Sequence, residues 1–460
     1  MADETRLLAT YAAGISHEDI PEAVRARARH LTIDLVGSML RAGVEADSTP
    51  SLYRTVADLG LDGEGACTVL GNRRPFAPPV AALLNGALGH SLDFDDTHAD
   101  SSLHPSAPVV PAAFAVGERV NASGKDVLAA IVAGYEVCCR LGNALDPTAH
   151  YARGFHPTAT AGTFGAAAAA GRLYGLDADA MASAFGVAAS QAAGSLQFLV
   201  NGAWNKRYQV GAAAMNGVIA ATLARNGFCG AVQAIEGRHG FLKGYSDKAD
   251  PARAVLDLGT AYETTRIGVK PYPSCRYTHA PLDGLIALKR EMGLEAEDIR
   301  SVTIGLHQNG IVLTAAPMEE KRRPKSVVDG QFSMPFTAAV ALAQGSFGWD
   351  DYARLGDPAI ERIADRIEVV RDERLEGLRH PFGGIIRVET SQGVIERVIP
   401  DPSGEPATFP DAAQVEAKFL TLAAPVLGDG AATLFARLNT VETEPAIGAI
   451  LRPTRTGTRP

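Results

Sequence analysis

The sequence predicts a mainly α protein carrying an α+β part, and three observations predict it. First, from Pro78 to about Arg225 the segments PVAALLNGAL, GKDVLAAIVAGYEVCCRLG, TATAGTFGAAAAAGRLYG, DADAMASAFGVAASQAAG and QVGAAAMNGVIAATLARNG are rich in Ala and Gly at helical spacing. Small side chains let helix axes approach closely, which favours a compact bundle over a sheet. Second, the texture changes near Thr265, where alternating runs replace periodic ones. Third, the polar stretch PDPSGEP after Pro400 reads as a linker, with two helical runs beyond it that can rejoin the first part.

Residues 4 to about 45 read as a helical pair. SHED (16–19) offers a cap, and Pro21 opens a run with Val24, Ala28, Leu31, Leu35 and Met39 at helical spacing. CTVL (67–70) is a short β-type run. The glycines at 142, 175 and 227 read as helix stops. In the later part, IRSVTIGLH (299–307), IRVET (386–390) and GVIERVIP (393–400) alternate as strands do, the last two joined by a turn at Ser391–Gln392. Helices are expected at 278–292, 333–344, 358–367, 411–424 and 429–439.

The chain has 460 residues and a net charge of −9, with basic residues scattered rather than clustered. That argues against a nucleic-acid surface. No apolar run reaches the length of a membrane span and Met1–Thr10 lacks signal-peptide character, so the expectation is a cytoplasmic protein. The five cysteines (Cys67, Cys138, Cys139, Cys229, Cys275) form neither a disulfide framework nor CxxC metal spacing.

The chemistry gathers in four stretches. HSLDFDDTHADSSLHPSAP (90–108) holds His90, His98 and His104 with Asp93, Asp95, Asp96 and Asp100 between two apolar helices. A capped interhelical turn explains Asp and Ser, but it does not require three histidines. RGFHPTATAGTFG (153–165) sets His156 before a proline that suits the first helical position. NGAWNKRYQVGAAAMNG (201–217) sets Lys206 and Arg207 before another small-residue helix, where a solvated lysine is the ordinary alternative. KPYPSCRYTHAPLDG (270–284) holds Cys275, Arg276 and His279 in a proline-stiffened loop that reads equally as a crossing linker. Each places a cationic or proton-transferring residue beside a helix N-terminus, where unpaired N–H groups favour anions. Arg276 suits a bidentate clamp on a carboxylate, and His and Lys suit proton movement. The implied ligand is a small polycarboxylate.

Those stretches, in this order, resemble the MmgE/PrpD family. NGALGHSLDFDDT…HPS, GYEVCCRLG, ATAGTFGAAAAAGRLYGL, KPYPSCRYTH and the N-terminal ISHEDIPEAVRARARHLTIDLVGSML carry the resemblance over nearly the whole chain. It implies a discontinuous helical domain (1–265 and 401–460) with an inserted α+β lid domain (266–400). It also implies a homodimer and an enzyme without metal or organic cofactor. Carried over by motif, the pocket residues are Asp93, Thr97, His104, His156, Lys206 and His279. Lys206 and His104 are the proton-transfer candidates, His156 and His279 bind carboxylates or assist, and Asp93 and Thr97 orient. Arg276 and Arg207 join as binding residues. Two departures stand out: Phe336 occupies the place of a tyrosine in cis-aconitate decarboxylase, and the Asp93-to-His104 spacing is one residue longer.

The resulting expectation is a lyase of the 2-methylcitrate dehydratase type that forms a carbanion next to a carboxylate. Epimerisation of a dicarboxylate such as iminodisuccinate and decarboxylation of cis-aconitate are the alternatives. From other classes come an Mg²⁺-dependent isoprenoid synthase-like enzyme, suggested by DDTHAD but lacking a second acidic motif, and a non-catalytic polycarboxylate binder. Nucleotide-binding glycine motifs and G-x-S-x-G are missing from the sequence. The small-residue helices 160–175 and 210–225 are expected to offer flat apolar faces for dimerisation.

Overall fold

In the computed structural model, residues 3–63, 65–376 and 382–456 are described. The protein is mainly α with an α+β part. Its contacts divide it into two units, Met1–Gly268 with Asp411–Pro460, and Val269–Pro410.

The principal helices of the first unit are α1 (Glu4–Gly14), α2 (Glu22–Glu45), α3 (Pro78–Gly89), α4 (Ser106–Val120), α5 (Gly124–Ala144), α6 (Pro157–Leu173), α7 (Ala178–Gln191) and α8 (Asn205–Arg225). Helix α8 packs on α6, α3 and α7, and α6 on α5 and α4. Every α6 residue from Pro157 to Gly171 is buried. The expected dimerisation faces on these helices are therefore largely covered by the chain itself, because alanine-lined helices can close on one another. A Cβ at Gly217 would lie 2.4 Å from the Ala166 Cβ, so α6 and α8 meet where neither has a side chain to spare. Helices Ala412–Leu427 and Gly430–Asn439 pack back on α2.

Two readings of α5 are corrected. Gly142 does not stop it; the helix runs on to Ala144. A Cβ at Gly142 would lie 2.6 Å from the Ser101 Cβ, so glycine serves close packing there. Gly175 and Gly227, at φ 70° and 82°, do follow helix ends. Helix α5 also has the length and apolarity to cross a membrane, 21 residues with a hydropathy of 1.3, against the reading that no run does. That apolar window is wholly buried inside the protein, as befits a core helix.

The second unit contains a four-stranded sheet of β1 (Ile299–Leu306), β2 (Ile367–Arg371), β3 (Gly384–Thr390) and β4 (Gly393–Ile399), in the order β2–β1–β3–β4. Strands β1 and β2 are parallel and the other pairs antiparallel. Helix α9 (His279–Met292) packs on β3, β4 and α10 (Met334–Gln344). The sequence reading missed β2. Ile360, Ile363, Ala364 and Ile367 keep helical spacing, so the pattern of α11 (Pro358–Ala364) runs on into a strand of five residues.

Inside α5 the close packing encloses an ion pair. The Arg140 Nε donates to Glu136 at 3.1 Å, and both side chains are 1 % exposed. Glu136 also accepts from the Glu263 and Thr264 N–H groups and the Thr264 hydroxyl. Arg140 donates to the Leu256 and Ala261 carbonyls. Arg140→Met would leave the carboxylate buried and uncompensated. We expect a loss of about 3–5 kcal/mol in urea unfolding; a loss below about 1 kcal/mol would mean that the 256–264 segment is held by other contacts.

Candidate active site

The 90–104 loop leaves α3 and enters α4, and a separate side-chain contact fixes each part of it. The Lys418 ammonium lies 3.8 Å over the Phe94 ring, donates to the Phe94 carbonyl at 2.9 Å and pairs with Asp34 at 2.6 Å. Thr97 and His98 pair as an antiparallel bridge with Gly268 and Ile267. His98 accepts from the Ser101 N–H at Nδ1, so its Nε2 proton points at Glu263, 3.0 Å away. Asp96 accepts from both the N–H and the hydroxyl of Ser106, whose oxygen also bonds Tyr135. Burial, with the Asp95 charge behind it, pushes Asp96 well above the usual carboxylate range. The result is a rigid polar loop inside an apolar bundle.

Asp93 takes a left-handed conformation, φ 52°, and its Oδ1 meets the Lys206 Nζ at 2.5 Å. The ion pair favours Lys206 as an ammonium, a partner that sequence spacing alone does not reveal. Lys206 stands in the first turn of α8. Its neighbour Arg207 is buried and donates to the Ser48 hydroxyl at 3.0 Å. The Thr97 hydroxyl is buried and makes no hydrogen bond among the described residues.

Three imidazoles cluster here. His90 lies edge-on to His104, with ring centroids 5.0 Å apart, and stacks on His156 at 5.8 Å. The His104 Nδ1 lies 2.6 Å from the Asp96 carbonyl, which can only accept, so Nδ1 carries a proton and in the neutral ring Nε2 holds the lone pair. His90 Nδ1 meets Asp95 Oδ2 at 2.6 Å with both side chains fully buried. The His156 Nδ1 is 2.8 Å from the Gln209 amide nitrogen. Burial, then the neighbouring His90, Lys206 and His104, hold His156 well below the ordinary histidine range. Burial likewise lowers His90, against the pull of Asp95.

His90, Asp95 and His104 offer ligand-type atoms within 4.8 Å of one another. Their geometry is that of hydrogen bonding. The 2.6 Å between His90 and Asp95 is shorter than the roughly 3.3 Å that separates two ligand atoms on one tetrahedral zinc, and the His104 Nδ1 proton already points at a carbonyl.

The remaining expected residues lie in the second unit and engage one another. Arg276 donates through Nε and Nη2 to Glu405, at 2.9 and 2.5 Å, and through Nη1 to His279 Nδ1 at 2.9 Å. His279 Nε2 lies 3.1 Å from the Ser274 carbonyl. Arg276 thus already has a carboxylate in its fork. Phe336 is buried beside Phe347 and Tyr352. Sequence reasoning quoted but did not select His90, Asp95 and Gln209. The signal for Gln209 was its spacing three residues after Lys206 on one helix, which puts both on one face.

Comparison with known proteins bears on this arrangement. The chain is 29% identical over 446 residues, 92% of its own length and 91% of the relative's, to a cis-aconitate decarboxylase-like protein (oryM) of Aspergillus oryzae. It is 28% identical over 439 residues to cis-aconitate decarboxylase of Aspergillus terreus, covering 90% of this chain and 88% of that one. The human cis-aconitate decarboxylase is 26% identical over 379 residues, 79% of this chain and 76% of the human one. The MmgE/PrpD N-terminal domain matches residues 6–254 and the MmgE/PrpD C-terminal domain residues 272–441. With both domains matched in order and the first alone spanning more than half of its length, the chain belongs to the MmgE/PrpD family and is a lyase of that family.

Proposed function

We propose that this lyase acts on a small di- or tricarboxylate without a cofactor, by forming a carbanion next to a carboxylate, and that dehydration of a 2-methylcitrate-like acid is its reaction. The observation that carries the reading is the pairing of opposite proton functions in one cluster. His104 has its lone pair on Nε2, and Lys206 stands beside Asp93 as an ammonium. His104 Nε2 takes the proton from the carbon next to the carboxylate and becomes imidazolium, its Nδ1 proton still held by the Asp96 carbonyl. The electron pair left on carbon spreads onto the carboxylate oxygens, where cationic groups and the N–H groups at the start of α8 stabilise it. The pair then expels the β-hydroxyl, which leaves as water with the proton from Lys206. Thr97 and Arg207 are the binding residues in this scheme. His279 and Arg276 remain candidate binding residues of the second unit, where Arg276 holds Glu405 and His279.

Decarboxylation of cis-aconitate is the second reading, favoured by the names of the relatives and opposed by Phe336 where the resemblance expects a tyrosine. Epimerisation follows from the same carbanion when the proton returns to the opposite face. Purified protein in D₂O with citrate, 2-methylcitrate, cis-aconitate or iminodisuccinate should exchange a C–H on one of these acids, seen by proton NMR. Binding of one of them without exchange or turnover would make the chain a non-catalytic binder. With the active acid, Lys206→Ala should lower kcat by roughly 10²-fold or more. Lys206→Arg should be nearly as inactive, since a guanidinium keeps the charge and does not release a proton. If Arg restores most of the rate, Lys206 is an electrostatic anchor.

A neutral His156 belongs to this reading and has a signed consequence for stability. Its folded value is depressed, so below about pH 6.5 the unfolded chain takes up a proton there that the folded chain refuses. The stability gained from a neutral His156 is present above that pH and lost below it. In His156→Gln that loss is missing. From pH 6 to pH 5, urea unfolding of the wild type should therefore weaken relative to the variant by about 1.4 kcal/mol per pH unit. A gap that does not change with pH would mean that His156 is protonated in the folded protein.

We propose a homodimer as well, joined around Leu199, Val200, Trp204 and Tyr208, which are exposed by 43–77 % just before and within the first turn of α8. Sedimentation at micromolar concentration should give twice the chain mass, and Val200→Asp should shift it toward the monomer. A wild-type monomer would remove the proposal.

A further inference from the structure

Gln209 sits between two hydrogen-bond partners of opposite kind. The Ser195 backbone N–H can only donate, and it lies 3.0 Å from the Gln209 Oε1. That contact fixes the amide orientation and turns the NH₂ end toward His156 Nδ1, 2.8 Å away. An amide NH₂ can only donate, so Nδ1 holds the lone pair and the ring proton sits on Nε2. The backbone enforces the same register. The His156 N–H donates to the Gly194 carbonyl, the Leu196 N–H donates to the Gly154 carbonyl, and Phe155 and Ser195 form a bridge. One short pairing of chain segments thus holds both the imidazole and the peptide that orients its partner.

We infer that Gln209 is a positioning residue that keeps His156 a neutral N–H donor and bars it from acting as an acid or a base. A neutral imidazole that gave up its Nε2 proton would become imidazolate unless Nδ1 gained one, and the amide at Nδ1 has no proton to release. His156 therefore hydrogen-bonds the carboxylate oxygen on which charge develops, while His104 Nε2 and Lys206 Nζ move the protons. Its burial among His90, His104 and Lys206 favours the uncharged ring. The catalytic half of this inference rests on the carbanion reading above; the tautomer does not.

Gln209→Glu tests both halves. A carboxylate still accepts from the Ser195 N–H but has no proton for Nδ1, so His156 must carry one there. In the full-length protein with ¹⁵N-labelled histidine, two-bond nitrogen–proton NMR should show the wild-type His156 with a bare Nδ1 and a protonated Nε2, the signals being assigned by their disappearance in His156→Gln. In Gln209→Glu, Nδ1 should be protonated. A wild-type Nδ1 that carries the proton, or an unchanged pattern in the variant, overturns the inference whether or not any acid is turned over. With the active acid, kcat should fall by roughly 10²-fold with little change in KM, as when one donor to a developing oxyanion is lost. A switched tautomer with an unchanged kcat would overturn the positioning role. Gln209→Met, which keeps the bulk but offers Nδ1 no donor, guards against misfolding of the acidic variant. With an unchanged melting temperature it should give a mixture of tautomers and an intermediate kcat, and a wild-type tautomer in it would also overturn the inference.

Discussion

Helices that touch through alanine and glycine leave no room for water between them, and the first unit depends on that constraint. Where α6 meets α8 at Ala166 and Gly217, a single added methyl would collide. A polar group enclosed by such helices has to find its partner in the protein itself. Glu136 collects two backbone N–H groups, a hydroxyl and a guanidinium. Asp96 collects Ser106, and Asp34 collects Lys418. The Asp96 and Lys418 contacts hold the 90–104 loop, and those of Glu136 and Arg140 the 256–264 segment.

Rigidity of that kind also fixes protonation. A histidine in water exchanges tautomers freely, whereas His104 and His98 each face a neighbour with only one possible role. The folded protein itself therefore sets which nitrogen of each of these two rings carries the proton toward that neighbour.

Much of the fold was legible because its signals are local. The Ala/Gly texture marked the bundle, and alternation marked β1, β3 and β4. Strand β2 was not, because Ile367 continues the helical spacing of Ile360 and Ile363. Gly142 misled for a related reason: in sequence a glycine that ends a helix looks the same as one that makes room for Ser101. In the site, residue types were legible and partners were not. The stretch 90–104 announced its acids and histidines, but the Asp93–Lys206 pair spans 113 positions and the Gln209–His156 contact 53. Nor does the string KPYPSCRYTH reveal that Arg276 already holds Glu405, which lies 129 positions away.

Lys418 carries a consequence for the birth of the molecule. The ammonium that holds Phe94 and Asp34 lies more than three hundred residues after the loop it steadies. A growing chain emerges at roughly 5–20 residues per second, and its early segments begin to fold as they appear. The helices that flank the loop are made long before Lys418 leaves the ribosome, and the whole Val269–Pro410 unit emerges in between. For that interval Asp34, on the helix α2 that packs on α3 and α5, is without its cation, a state its buried position penalises. Translation order thereby builds in a delay: the loop can reach its final form only after the last tenth of the chain has begun to appear, and a ribosome that stalls earlier leaves a bundle with an unfinished centre.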